Sequence, residues 1–180
     1  MDELIDVCDE NNKLLGINKM KSDVHKDGLW HRASHIWVHK DNGEVLLQLR
    51  AKSKDLYPSM WDTSAAGHVN LGEDPLISGM RETEEELGLK AEKEDFEFFK
   101  ILKHKAIYKN LKNNEFYYIY FLRFNGDISS LKKQDEEVDD IKFVPIEEIE
   151  EELKTNPEKF VPHGPYWFDV LDEIKKKVNV

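Results

Sequence analysis

The chain has 180 residues, of which 39% are apolar and 35% are charged, and its formal net charge is −11. This length suffices for one globular domain with a full core. The acidic balance argues against a nucleic-acid polymer as partner, but it is compatible with a small phosphate ligand, because a metal ion can supply positive charge.

Cysteine content and hydropathy indicate the cellular compartment in which the protein is expected. Cys8 is the single cysteine, so no internal disulfide is expected. The first twelve residues are acidic and lack the apolar segment of a signal peptide. No apolar run approaches membrane-spanning length. We therefore expect a cytoplasmic protein that has no contact with a membrane.

The first part of the chain is rich in strand and turn signals. Strands are predicted at residues 4–8, 14–17, 33–40, 45–50 and 61–66. The first two form a hairpin, and Asp41-Asn42-Gly43 is a strong turn signal between the next pair. The polar segment 19–26 is expected to be irregular, and 51–58 is a charged loop.

A central helix is predicted over residues 75–87. Asp74 is a suitable N-cap, Pro75 suits the first helical position, and Gly88 suits the end. The apolar stripe of this helix contains Leu76, Met80, Thr83 and Leu87. Its other notable face carries Glu82, Glu85 and Glu86, at steps of three and one.

The last part of the chain adds strands and two helices. Strands are predicted at 96–108, 115–124 and 141–144, with a turn at 109–114 and an acidic loop at 135–140. Helices are predicted at 145–153 and 166–177. A mixed sheet with helices on both faces accommodates this order of elements. We expect a single domain, 1–180, with an N-terminal hairpin (1–20), a core (30–154) and a C-terminal helix (165–177).

The three glutamates of the central helix are the strongest sign of function. Like charges at this spacing repel, and a divalent cation such as Mg²⁺ or Mn²⁺ removes that cost. Arg81 lies beside them and is able to hold a carboxylate in a bidentate fork. An acidic helix face is often only solvated in a chain with 37 acidic residues. Here the number of fixed positions around the face favours a metal site.

The region from Gly67 to Leu89 follows the spacing Gly-x5-Glu-x7-Arg-Glu-U-x-Glu-Glu-x-Gly-U, in which U is apolar. The matching positions are Gly67, Glu73, Arg81, Glu82, Thr83, Glu85, Glu86, Gly88 and Leu89. This pattern resembles the Nudix box of hydrolases that cleave diphosphates linked to another moiety. Thr83 departs from it, since an apolar residue is usual there. The resemblance implies a Nudix-type α/β/α sandwich with a mixed β-sheet.

The chain also resembles one subgroup of that superfamily, type I isopentenyl-diphosphate isomerase and similar hydrolases. The shared features are His25, Gly28-Leu29-Trp30-His31, Tyr57-Pro58, Trp61-Asp62, Gly67-His68 and Pro165-Tyr166-Trp167-Phe168. In the isomerase, histidines matching His25, His31 and His68 help to bind a metal together with two glutamates. Only Glu115 is present here, and Asn113 takes the place of the other glutamate.

Two departures from the isomerase favour hydrolysis. The isomerase needs a cysteine just before its Gly-His pair for acid–base chemistry, and this chain has Ala66 there. The Nudix box is nearly complete here, whereas isomerases tend to have an incomplete one. Isomerisation, or diphosphate binding without catalysis, remains an alternative function.

The resemblance implies a hydrolase of nucleotides or other organic diphosphates that depends on Mg²⁺ or Mn²⁺. We expect Glu85 to be the general base, with Glu115 and Glu137 as alternatives, while Arg81 positions the glutamates. Metal ligands are expected at Glu82, Glu85 and Glu86. Contacts to substrate are expected at Gly67, His68, Arg50, His25 and His31.

The identity of the substrate is left open by the sequence. Nucleoside diphosphates or triphosphates, dinucleotides, nucleotide sugars and isoprenoid diphosphates all fit, and specificity is expected in segments 19–32, 51–61 and 109–114. Exposed aromatic residues in the tail helix would favour a homodimer. The remaining histidines are interpreted as surface or structural residues: His35, His39, His104 and His163.

Overall fold

A computed structural model describes residues 3–178, which form nine strands and four α-helices. The strands are β1 (Leu4–Cys8), β2 (Leu14–Met20), β3 (Trp30–His39), β4 (Glu44–Arg50), β5 (Trp61–Asp62), β6 (Ala65–His68), β7 (Phe96–Tyr108), β8 (Leu111–Arg123) and β9 (Val138–Pro145). The helices are α1 (Lys21–Asp27), α2 (Pro75–Leu87), α3 (Ile146–Thr155) and α4 (Tyr166–Val178). None of these helices combines the length and the apolar character that crossing a membrane requires.

Strand β3 is the centre of one mixed sheet. It pairs in parallel with β8 along its whole length, and its other side pairs antiparallel with β6. Strand β7 continues the sheet beyond β8, and β4 carries β5 and β9. The β1–β2 hairpin joins through the pair Cys8 and Trp30. The parallel β3–β8 pair brings residues that are far apart in sequence side by side.

The two faces of the sheet are covered by different helices. Successive side chains of a strand point to opposite faces, so Trp37 on β3 packs with the buried residues of α3 and α4. Ile36 and Val38 pack on the other face with Leu87 of α2. This arrangement confirms the predicted α/β/α sandwich with a mixed sheet.

Two of the predicted irregular segments are regular. The prediction for 19–26 is wrong, because β2 extends to Met20 and helix α1 follows it. Helix α1 ends where Gly28 takes a left-handed conformation with φ 71°. The predicted turn 109–114 is also too long. Lys109, with φ 54°, allows a tight connection, so β8 begins at Leu111.

The tail helix differs from expectation in what it exposes. Tyr166 and Trp167 are buried in the core beneath the sheet, and Phe168 packs against the same core. The indole Nε1 of Trp167 donates to the carbonyl of Val161 at 2.9 Å. The expectation of exposed aromatics on this helix is therefore wrong, and so is the argument for a homodimer based on it.

Candidate active site

Helix α2 begins and ends as its sequence predicts. The Asp74 side chain accepts from the backbone N–H of Leu76 at 2.9 Å, and Gly88 ends the helix with φ 64°. The unusual Thr83 is fully buried, and its hydroxyl donates to the carbonyl of Gly79 at 2.7 Å. That bond satisfies the hydroxyl within the helix, which explains how a polar residue occupies an apolar position.

Two of the three glutamates are buried. Glu82 is 8% exposed and Glu86 2% exposed, whereas the side chain of Glu85 is half exposed. One oxygen of Glu86 accepts from Gln48 Nε2 at 3.1 Å and from the backbone N–H of Ala66 at 3.0 Å. Burial, with the added charge of Glu82, raises the pKa of Glu86 to about 8. A bound cation would offset this cost of burying negative charge.

Arg81 links the glutamates of the box. Its Nη1 donates to Glu82 at 2.7 Å and to Glu85 at 3.2 Å. Its Nη2 lies 3.4 Å from both Glu73 and the carbonyl of His68. Burial raises the pKa of Glu82 despite this guanidinium. Arg81 therefore touches the carboxylates and holds them in place.

Gly67 has no room for a side chain. A Cβ atom at this position would overlap the carboxyl group of Glu82. The backbone of β6 therefore lies directly against the glutamate face of α2 because residue 67 is glycine. This close approach explains why glycine occupies this position of the box.

A second group of polar side chains lies beside Gly67. Helix α1 contributes His25, β3 contributes His31, β6 contributes His68, and β8 contributes Glu115. Each offers one nitrogen or carboxylate oxygen, and these atoms all lie within 4.8 Å of one another. We call this group the histidine cluster. The β3–β8 register pairs His31 directly with Glu115.

Hydrogen bonds fix the orientation of two of the rings in the histidine cluster. Nδ1 of His31 lies 3.0 Å from the carbonyl of Leu29, and Nδ1 of His25 lies 3.4 Å from that of Lys112. A carbonyl only accepts, so both Nδ1 atoms carry hydrogen, and Nε2 is the nitrogen that faces the centre of the cluster. The Nε2 atoms of His25 and His68 are 3.2 Å apart. This convergence fits a metal ion, because His25 and His31 are each held by a backbone carbonyl and His68 by the carboxylate of Glu3.

The pKa values of Glu115 and His68 also indicate that the histidine cluster accommodates positive charge. Burial acts to raise the pKa of Glu115, yet the bonds to His31 and His68 hold that pKa well below its ordinary value. Burial acts to lower the pKa of His68, but Glu115 and Glu3 outweigh it and raise the pKa. Asn113 Oδ1 is buried without a partner, while its amide nitrogen donates to Glu115.

One cavity of about 1010 Å³ joins the glutamate face to the histidine cluster. Eight of the residues singled out from the sequence line it: His25, Arg50, Gly67, His68, Glu82, Glu85, Glu86 and Glu115. The other two, Arg81 and His31, lie in direct contact with residues on its wall. Glu137 also lines the cavity and is paired with Lys54. The structure thus brings the predicted residues to one site.

The cavity has further polar residues to which the sequence analysis assigned no role in the site. Lys21 and Lys54 add cationic groups to its wall. Asp62 accepts from Arg50 Nη1 at 3.0 Å and from Nε2 of His163 at 2.8 Å. His163 is buried and lines the cavity, although it was interpreted as a surface or structural residue. No local signal marks this pair, because its members are 101 positions apart.

The chain resembles known proteins in sequence and in fold. The family model of the NUDIX domain matches residues 29–164. Nudix hydrolase 3 of Arabidopsis thaliana is 36% identical over 187 residues, which cover 99% of this chain and 24% of that protein. The chain therefore spans about a quarter of that relative.

Isomerases are among the relatives as well. Isopentenyl-diphosphate Delta-isomerase of Serratia proteamaculans (strain 568) is 33% identical over 168 residues, covering 93% of this chain and 88% of that protein. Among solved structures, the DR0079 protein of Deinococcus radiodurans superposes with a TM-score of 0.70 at 17% identity. That match covers 95% of this chain and 98% of the other, and it shows a shared fold.

Proposed function

Because the chain belongs to the NUDIX domain family, we propose that it hydrolyses a diphosphate linkage in a nucleotide or another organic diphosphate. The observation that carries this proposal is the pair of buried carboxylates, Glu82 and Glu86, on the wall of the cavity. Ala66 beside them offers no side chain for proton transfer to carbon, which supports hydrolysis over isomerisation.

The glutamate face fits a divalent cation such as Mg²⁺ or Mn²⁺, with Glu82, Glu85 and Glu86 as the residues that would hold it. Such an ion would neutralise the negative charge that develops on the phosphate oxygens. The histidine cluster mixes imidazole and carboxylate donors, so it fits Mn²⁺ or Zn²⁺ better than Mg²⁺. Lys21, Arg50 and Lys54 would bind further phosphate oxygens.

Hydrolysis at this site needs a base for the attacking water. The water oxygen forms a bond to phosphorus, the bridging P–O bond breaks, and the water proton passes to a carboxylate. We assign that role to Glu85, whose half-exposed side chain lines the cavity. All three candidate bases are ion-paired: Glu85 with Arg81, Glu115 with two histidines and Glu137 with Lys54. Glu85 is preferred because its side chain is the most exposed of the three, and Glu115 and Glu137 are the alternatives.

Glu86→Gln tests the hydrolase proposal. The amide keeps the shape of the side chain but cannot ionise to hold a cation, so release of phosphate from a diphosphate panel with Mg²⁺ or Mn²⁺ should fall at least about 100-fold. Glu84→Gln is the matched control, since Glu84 is an exposed residue of the same helix. Unchanged turnover in Glu86→Gln, with both variants folded, would refute the metal-site assignment.

Isomerisation of isopentenyl diphosphate is the second candidate function. The histidine cluster favours it, since the isomerase resemblance assigns the matching histidines to a metal. Incubation with isopentenyl diphosphate and detection of dimethylallyl diphosphate decides the question. We expect no isomer from the wild type, and clear turnover would replace the hydrolase proposal. Binding of diphosphates without product in either assay would indicate a non-catalytic protein.

A further inference from the structure

We propose that His163 selects the substrate, by accepting a hydrogen bond from a hydroxyl or N–H group on its organic part. This inference rests on the proposed function, because it concerns the organic moiety of the same diphosphate. Polar and hydrocarbon substrates would be distinguished at the part of the cavity wall that contains Asp62 and His163.

The hydrogen-bond partners of Asp62 determine which nitrogen of His163 is free. One oxygen of Asp62 accepts from the backbone N–H of Thr63 at 2.8 Å and from His163 Nε2 at 2.8 Å. The other accepts from Arg50 Nη1 at 3.0 Å. His163 Nε2 is therefore the donor of its ring. Because Nε2 carries the hydrogen that Asp62 accepts, Nδ1 is the acceptor nitrogen in that tautomer of the ring.

The Nδ1 atom of His163 has no hydrogen-bond partner among the residues that the structure describes. His163 is 8% exposed, and Nδ1 is buried without a hydrogen bond. Buried acceptors in native proteins are nearly always paired, and an exception calls for an explanation. Because His163 lines the cavity, a bound ligand supplies the missing donor.

The side chains that surround His163 donate no hydrogen bond to this atom. Aromatic rings enclose it, with Tyr166 at 5.3 Å, Tyr117 at 5.8 Å and His104 at 5.8 Å between ring centroids. The hydroxyl of Tyr166 is engaged elsewhere, by Trp37 and His35. A hydrocarbon chain would leave Nδ1 unpaired, whereas a sugar hydroxyl or a base N–H would satisfy it.

Binding of non-hydrolysable probes tests this inference directly. The probes are the α,β-methylene analogues of uridine and adenosine diphosphate, and hexyl methylenediphosphonate, measured by calorimetry with Mg²⁺ present. We expect at least one nucleoside probe to bind more tightly than the hexyl probe. His163→Phe should weaken that nucleoside probe by about 10- to 100-fold, the loss expected for one buried acceptor. The hexyl probe should change by no more than about twofold.

Two further variants separate recognition from structure. His163→Gln keeps a donor for Asp62 but has no acceptor at the position of Nδ1, so it should lose nucleoside binding as His163→Phe does. His39→Phe is the control, because His39 is an equally buried histidine on β3 that does not line the cavity. It should change neither probe.

Several outcomes would overturn the inference. They are equal loss of both probe types, unchanged nucleoside binding in His163→Gln, or no preference of the wild type for a nucleoside probe. Turnover is measured separately with the hydrolysable diphosphates. If those are not cleaved while the analogues still bind in a His163-dependent manner, hydrolysis is wrong and the selectivity of His163 stands.

Discussion

Gly67 shows how one residue joins the two halves of the site. It follows Ala66, whose backbone N–H bonds Glu86, and it precedes His68 of the histidine cluster. Its own position lies against the carboxyl group of Glu82. A side chain here would push the glutamate face away from the strand that carries the cluster.

Gly67→Ala should therefore inactivate the protein with little loss of stability. The added Cβ overlaps the end of the Glu82 side chain, which has to move, while the backbone at this position requires no left-handed conformation. We expect a fall of at least about 100-fold in kcat with the fold retained, since misplaced catalytic groups are costly. Circular dichroism and phosphate release measure the two effects, and full activity would contradict the packing argument.

His35 is a buried histidine whose role depends on its being neutral. Trp37 Nε1 donates to the Tyr166 hydroxyl at 2.7 Å, so that hydroxyl is free to donate to His35 Nδ1 at 3.0 Å. Burial, with the nearby His163, lowers the pKa of His35 to about 3. In the folded protein, His35 therefore stays unprotonated until the pH falls to about 3. In the unfolded chain, the same histidine binds a proton as the pH falls below its ordinary pKa of 6.5.

His35→Phe should reduce the acid sensitivity of the fold. Between pH 7 and pH 5 the unfolded chain binds the extra proton, so the free energy of unfolding falls as the pH falls. One such histidine accounts for about 2 kcal/mol over that interval. Urea denaturation at both pH values should show a drop smaller by about this amount in the variant. An equal drop in the free energy of unfolding in both proteins would show that groups other than His35 cause the acid sensitivity.

At the scale of elements, helix α2 was predictable because all its signals are local. Asp74, Pro75 and Gly88 lie within or next to the helix, and the spacing of its glutamates needs no information from the rest of the chain. Helix α1, which was not predicted, lacks such local signals and depends on contacts with distant residues. It has no side-chain N-cap and only seven residues, and packing of Val24 against β1 stabilises it.

Thr83→Val tests whether the one departure from the Nudix box matters. The hydroxyl bonds only the carbonyl of Gly79 inside the helix, and the site is fully buried. An isosteric apolar residue exchanges that bond for buried methyl surface, so the free energy of unfolding should change by less than about 1 kcal/mol. Activity should stay within about twofold. A large loss of activity would show that Thr83 has a role beyond packing.

At the scale of the whole molecule, the site is only partly predictable. The resemblance to the isomerase brought together His25, His31, His68 and Glu115, and the structure places all four within one cluster. Asp62 and His163 were not paired in advance, because the packing of α4 beneath the sheet and a backbone bridge between Phe160 and Trp61 bring the segment before α4 to β5. The same packing buries the aromatics that were expected on the surface.

Metal binding should be visible as stability of the whole fold. A cation that binds only the folded state stabilises it by mass action, by roughly 2.7 kcal/mol at a concentration a hundred times its Kd. Addition of Mn²⁺ to chelator-treated protein should raise the melting temperature, and Glu86→Gln and His31→Gln should each reduce that rise. Glu84→Gln should behave as the wild type. An identical rise in all four proteins would point to nonspecific binding.

The parallel pairing of β3 with β8 has a consequence for the rate of folding. His31 and Glu115 are adjacent in the sheet but 84 positions apart in the chain, and such non-local contacts make folding slow because a long loop must close first. The histidine cluster cannot exist before this pair forms. Recovery of activity after dilution from denaturant should therefore follow the same time course as burial of Trp37 in the core, so that catalysis itself reports the last stage of folding.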